Sequence, residues 1–342
     1  MPARRSPAAR PSRTAWSSSV PGPGSSFRGR SSSPSVSPPR RLRGVTAPTH
    51  RKGLAAGVLA LLRPPNVFTA VADSFAGLIL ARQAGPASDD PGLWCIAASA
   101  CLYLGGIALN DYFDREVDAV ERPERPIPSG TVPPIVAAGL GAALLAAGIA
   151  FAGRAGTPAI MVAAVLALAI LVYDGVLKGT AAGFLNMGVC RGLNFCMPMS
   201  LAPRSVPTSF VFAPVLLTAY ISVLTYLSRE EVGGNTLERA RRGVTALAVV
   251  ALVMAVAIAP WPAAPVGWAF LAVLVARGAM LFAPLWTEPG APATGHAIGG
   301  GILLIPLFDA TFVAAAAEVS WAFAVASLML PATALRRMYS PT

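Results

Sequence analysis

Charge is scarce in this sequence. Only 13% of its 342 residues are Asp, Glu, Lys or Arg, about half the share of a soluble domain. Hydrophobic residues make up 54% and gather in long blocks, which excludes an ordinary water-soluble two-domain enzyme. Alternation is missing too. The apolar runs are roughly twenty residues long without a period of two, which excludes a β-barrel. Cysteine is sparse: Cys95, Cys101, Cys190 and Cys196 show no C-x-x-C spacing and fall in apolar blocks, so neither zinc nor disulfides are expected. The histidines, His50 and His296, stand alone. No Walker loop and no Rossmann glycine pattern occurs.

Acids are absent from residues 1–52, which hold 11 of the 27 Lys and Arg. The rest of the chain carries 16 basic and 16 acidic residues, so the net charge of +11 belongs wholly to the tail. That tail is rich in Ser, Pro and Arg and cannot bury enough surface to fold. Residues 1–53 are expected to be a disordered basic tail, a mis-called start or a targeting segment, with anchorage to anionic lipid as the functional alternative. The segment lacks the apolar run of a secretory signal. Nucleic acid is not an expected partner, because no basic, aromatic-bearing folded surface accompanies it. Residues 54–342 are expected to form one transmembrane domain.

Apolar segments fall at 64–82, 92–110, 133–152, 157–175, 183–202, 209–227, 243–260, 266–286, 297–317 and 321–337. Each approaches the roughly twenty residues that cross a bilayer as a helix. The composition therefore predicts an all-α integral membrane bundle of nine or ten spans. Alternate loops concentrate the basic residues: Arg115, Arg122 and Arg125, then Lys178, then Arg229, Arg239, Arg241 and Arg242. The opposite loops hold only Arg82, Arg154 and Arg204. The bias places the N-terminus and the basic loops on the cytoplasmic side of the cytoplasmic membrane. Ten spans would also put Arg336 and Arg337 there.

Charges inside spans are costly and usually face a cavity or a partner. Asp73, Arg191, Arg277 and Asp309 are of this kind, with Arg277–Asp309 a possible structural pair. Asn66 and Asp73, seven apart, share a helix face. Arg191 and Asn194, with Asn186 on a neighbouring face, suit either interhelical hydrogen bonding or contact with a substrate.

The most informative stretch is Asn110-Asp111-Tyr112-Phe113-Asp114-Arg115-Glu116-Val117-Asp118 at the end of the second span. On a continuing helix Asn110, Asp114 and Asp118 step by four and share one face, and Asp111 and Asp118 are seven apart. Carboxylates crowded at a membrane mouth repel one another unless a positive charge sits among them. Oxygen ligands without His or Cys suit a hard cation such as Mg²⁺, which uses one or two carboxylates together with substrate phosphates. Arg122 and Arg125 follow in ERPERPIPSG, and guanidinium suits phosphate oxygens. The combination points to a diphosphate carried on a lipid tail.

NDYFDREVD followed by RPERPIPSG resembles the first aspartate-rich motif, N-D-x-x-D-x-x-x-D, of the UbiA superfamily of intramembrane prenyltransferases. LLRPPNVFTAVADSFAG resembles that family's first span, and Tyr173 with Lys178 resembles its Tyr…Lys pair. NMGVCRGLNF and YLSREEVGGNT look closest to the branch called EboC-like. The resemblance implies a UbiA-type bundle that transfers a prenyl group from a polyprenyl diphosphate to an aromatic or other small acceptor, with Mg²⁺ as cofactor. It implies that Asn110, Asp114 and Asp118 hold metal and diphosphate, with Asp111 in support. Lys178, Arg122 and Arg125 would neutralise the leaving diphosphate. Asn66, Asp73, Tyr173, Arg191 and Asn194 would face substrate. The second motif of the family should read D-x-x-x-D, but the matching loop reads Ser228-Arg229-Glu230-Glu231-Val232. Adjacent Glu230 and Glu231 point about 100° apart on a helix, so they offer one metal ligand, with Arg229 as a phosphate contact. The alternative expectation is a catalytically degenerate membrane component that binds a prenyl diphosphate or takes part in metabolite export.

Overall fold

The computed structural model describes residues 53–85, 89–202, 206–230 and 233–339. The basic tail over 1–52 and Glu231 lie outside the described residues. Within them all regular structure is helical: α1 (Leu54–Leu62), α2 (Pro64–Arg82), α3 (Asp89–Phe113), α4 (Arg115–Glu121), α5 (Pro134–Ala155), α6 (Thr157–Val172), α7 (Ala181–Met199), α8 (Phe212–Ser228), α9 (Leu237–Ile258), α10 (Ala264–Phe282), α11 (Ala291–Leu303), α12 (Ile305–Ala316), α13 (Val319–Ser327) and α14 (Met329–Tyr339).

Every predicted span is helical, and among the described residues the span count reaches nine, the lower of the two expected values. Eight segments are long and apolar enough to cross a membrane, and α1 with α2, bent by 40°, make a ninth. The segment short of ten is α7. Asn186, Arg191 and Asn194 make it too polar to qualify by composition, and it packs instead among α2, α6 and α8. A helix of that polarity needs protein neighbours to satisfy its side chains. Gly188 and Gly192 provide the closeness, since a Cβ on Gly188 would lie 2.2 Å from the carbonyl of Thr218 on α8.

The longest antiparallel contact joins α3 and α5. Backbones meet there because Gly105 faces Gly141, where an added Cβ on Gly105 would stand 2.9 Å from the Gly141 carbonyl. Small residues at helix interfaces are how membrane bundles gain packing when lipid is as apolar as the protein. A second core runs through α2, α8 and α12, and every residue of α12 is buried. Phe308 on α12 stacks on Tyr220 and Phe312 packs at a tilt against Trp261, with centroid separations of 5.0 and 5.6 Å. The suggested Arg277–Asp309 pair does not form. Arg277 is exposed on α10, whereas Asp309 is fully buried and stands beside Asp73.

Candidate functional site

A cavity of about 440 Å³ opens between α2, α3, α6, α7, α8, α11 and the start of α12, within the range of small-molecule sites. Its lower walls are Leu102, Leu166, Ile170, Ile221, Leu224, Ile298 and Ile302. Its mouth carries Arg63, Asn110, Asp114, Arg122, Arg125, Tyr173, Asp174 and Lys178. An apolar chamber with a charged rim is thereby built from residues more than a hundred positions apart.

Local structure sets the rim. The backbone hydrogen bonds Asp114 N to Asn110 O (2.9 Å), Asp118 N to Asp114 O (2.8 Å) and Arg122 N to Asp118 O (2.9 Å) carry the helical ladder from α3 into α4. Asn110, Asp114 and Asp118 therefore stay on one stripe, as the spacing predicts. Across from them α6 ends in a π-helical turn, Tyr173–Leu177, closed by Lys178 N to Tyr173 O at 3.0 Å. Such turns recur at functional sites because the extra residue re-aims side chains. Here Asp174 and Lys178 both face α3: Asn110 Nδ2 donates to Asp174 Oδ1 at 2.8 Å, and Lys178 Nζ pairs with Asp114. Lys178 also lies 5.9 Å from the centre of the Tyr173 ring.

The positive charges expected among the carboxylates are side chains. Arg63 pairs with Asp111. Arg125 Nη1 reaches Asp118 at 2.5 Å and Asp111 at 3.4 Å. Arg63 is the one non-glycine in the left-handed region (φ 45°) among the described residues, a conformation that costs about 1–3 kcal/mol. It lies between α1 and Pro64-Pro65, and the bend aims its guanidinium at the mouth. Asp111 and Asp118 are buried and do not line the cavity.

Deeper in, Asn66, Thr69, Ser99, Tyr103, Arg191 and Asn194 form a polar floor. Arg191 Nε meets Asp73 Oδ2 at 3.1 Å, its Nη2 donates to Thr69 Oγ1 at 3.0 Å, and it lies 5.5 Å from the Tyr103 ring centre. Asn194 Nδ2 donates to Ala70 O at 2.8 Å and Asp73 Oδ2 at 3.1 Å. Asp73 is fully buried behind this layer.

Residues from the second-motif loop do not join the site. Glu230 turns outward to Arg239 Nη1 at 3.5 Å and Arg229 is exposed; neither lines the cavity. Among the described residues no three His, Cys, Asp or Glu side chains converge on a metal position. Two contributors escape the sequence reading. Asp174 is visible only as an acid four residues before Lys178 at a span end, and Arg63 only as the residue before Pro-Pro-Asn.

Residues 70–290 match the UbiA prenyltransferase family. The chain belongs to that family. A digeranylgeranylglyceryl phosphate synthase from Methanothrix thermoacetophila is 34% identical over 176 residues, covering 51% of this chain and 62% of that protein. One from Methanopyrus kandleri is 32% identical over 251 residues, covering 70% and 91%. Among solved structures, a UbiA homologue from Archaeoglobus fulgidus bound to GPP and Mg²⁺ aligns with a TM-score of 0.61 at 17% identity, over 79% of this chain and 99% of that one. That likeness establishes the fold, a multi-pass UbiA-type helical bundle.

Proposed function

We propose that this UbiA-family protein transfers a prenyl group from a polyprenyl diphosphate to a small acceptor inside the membrane. The observation that carries the reading is the rim: four basic side chains and two carboxylates at the mouth of an apolar chamber. A charge-dense head and an isoprenoid tail match its two ends. The digeranylgeranylglyceryl phosphate synthases that the chain resembles support it.

The oxygen donors facing the mouth are Asp114, Asp174 and Asn110, a set that fits a hard cation sharing its remaining positions with substrate phosphates. Asp174 takes the place that Asp118 was expected to fill. Mg²⁺, when bound, supplies charge neutralisation for the departing diphosphate. Lys178, Arg122, Arg125 and Arg63 surround the same head and stabilise the charge that grows on it as the C1–O bond breaks. The new bond forms between C1 and the acceptor, and the acceptor's proton passes to the departing diphosphate. The apolar walls keep water from the allylic cation. Tyr173 closes the rim beside Lys178, and the cavity faces the cytoplasm of a cytoplasmic membrane.

The test is release of diphosphate from geranylgeranyl diphosphate by purified protein with Mg²⁺ and either glyceryl or phenolic acceptors. Release abolished in Asp114→Asn supports the enzyme. Mg²⁺-dependent binding without release supports a second reading, a binding component of the EboC-like branch. The outward turn of Glu230 favours that alternative, because it leaves the donors on one side only.

A further inference from the structure

Arg277 is a charge inside a span that the cavity does not use. It follows Ala264 and precedes Trp286, the ends of an apolar span. At 1.5 Å per residue it stands about 20 Å from Ala264 and about 14 Å from Trp286, near the middle of the hydrocarbon layer. Its side chain is exposed, and among the described residues it has neither a hydrogen bond nor an ion pair. A guanidinium keeps its proton in a protein, so the charge cannot be shed. Snorkelling does not relieve it either. A helical side chain leans toward the N-terminus of its helix, and for Arg277 that is the farther surface. Intramembrane charges otherwise face a bundle interior, a watery cavity or a partner. Here α10 turns Leu271 and Leu274 into the core it shares with α12, and sets Ala269, Val273, Ala276 and Met280 around Arg277 on the outer face. An added Cβ on Gly278 would meet no atom within 4 Å, so no neighbour in the chain requires that glycine.

We propose that the outer face of α10 around Arg277 docks a membrane-spanning helix of another protein, one that carries an Asp or Glu at matching depth. The inference stands apart from the prenyl-transfer reading. Charge sets the partner's chemistry: a carboxylate supplies the counter-charge and accepts two guanidinium hydrogen bonds side by side. Size sets its shape, since Ala269, Ala276 and Gly278 let a second backbone come close. A second copy of this chain does not answer. The acids at comparable depth in its own spans, Asp73 and Asp309, are fully buried, and pairing two α10 faces would oppose two guanidinium groups. Residues 1–52 hold no acid. A lipid phosphate lies at the bilayer surface, and the nearer surface is the one the side chain leans away from.

The test reconstitutes the full chain in phosphatidylcholine vesicles with a synthetic Leu-Ala span carrying one central Glu, and compares it with the same span carrying Gln. Energy transfer is read between a dye on Glu288→Cys, an exposed position just beyond α10, and a dye on the matching end of the peptide. The Glu peptide is expected to associate about five-fold or more tightly than the Gln peptide, and Arg277→Gln is expected to erase the difference. Equal association of the two peptides overturns the proposal, as does a Glu preference that survives in a folded Arg277→Gln. Moving the peptide's Glu two turns toward either end should lower its affinity to that of the Gln peptide. Unchanged affinity there overturns the proposal without recourse to any variant. Transfer between two labelled copies of the chain that depends on Arg277 would assign the face to self-association. A melting shift with phosphatidylglycerol that depends on Arg277, without peptide preference, would assign it to lipid. Either result overturns the proposal.

Discussion

At the scale of single residues, the site works by matched charge. Lys178 is the sharpest case because it touches Asp114 and also faces the space a diphosphate head would fill. Lys178→Met is expected to lower kcat by about 100-fold or more, the usual loss when one donor to a developing anion is removed, as read by diphosphate release. Arg63 carries two separable properties, a strained backbone and a guanidinium. Arg63→Gly relieves the first and deletes the second. Thermal stability in detergent should change by no more than about 1 kcal/mol, while the KM for prenyl diphosphate rises about ten-fold or more. Asp73 is different in kind. Asp73→Leu leaves Arg191 charged and buried without its counter-ion and should cost about 3–5 kcal/mol in a denaturation series. Asp114 and Arg125 were legible because their spacing and chemistry agree within one short stretch, and Lys178 because it follows Tyr173 as in the family's Tyr…Lys pair. Asp174 was not, since its meaning comes from Asn110, 64 residues away, and no local pattern encodes that meeting.

Among elements, the ten apolar segments were legible because lipid imposes one length on every span. The breaks were less so. The left-handed turn at Arg63, the π-helical turn at Tyr173 and the division of α11 from α12 at Leu304 are tertiary compromises inside continuous apolar runs. The polarity of α7 was visible residue by residue, yet its place among other helices follows only from the glycines that let α8 approach. The α3–α5 seam makes a testable element. Gly105→Val should force the helices apart at a cost of about 1–3 kcal/mol, seen as a lower melting temperature. Because α3 ends in Asn110 and Asp114, prenyl transfer should fall as well, although Gly105 lies outside the charged rim.

For the whole molecule, sidedness is the property that function needs and that apolar length alone does not supply. Ser129, exposed in the loop after α4, gives a direct reading. A Ser129→Cys variant should react with a membrane-impermeant maleimide in inverted vesicles and not in intact cells, given the basic loops. The four native cysteines, none of them exposed, give the background. The rim has one more consequence. Its Asp114 already holds Lys178, and Asp111 and Asp118 behind it hold Arg63 and Arg125, so a divalent ion arriving by itself must evict an ammonium group and leave it stranded. An ion escorted by pyrophosphate brings the anion that the displaced lysine needs. Loading is thus expected to be mutual: neither guest alone shifts the melting curve much, and the pair together shifts it by more than the two separate effects added.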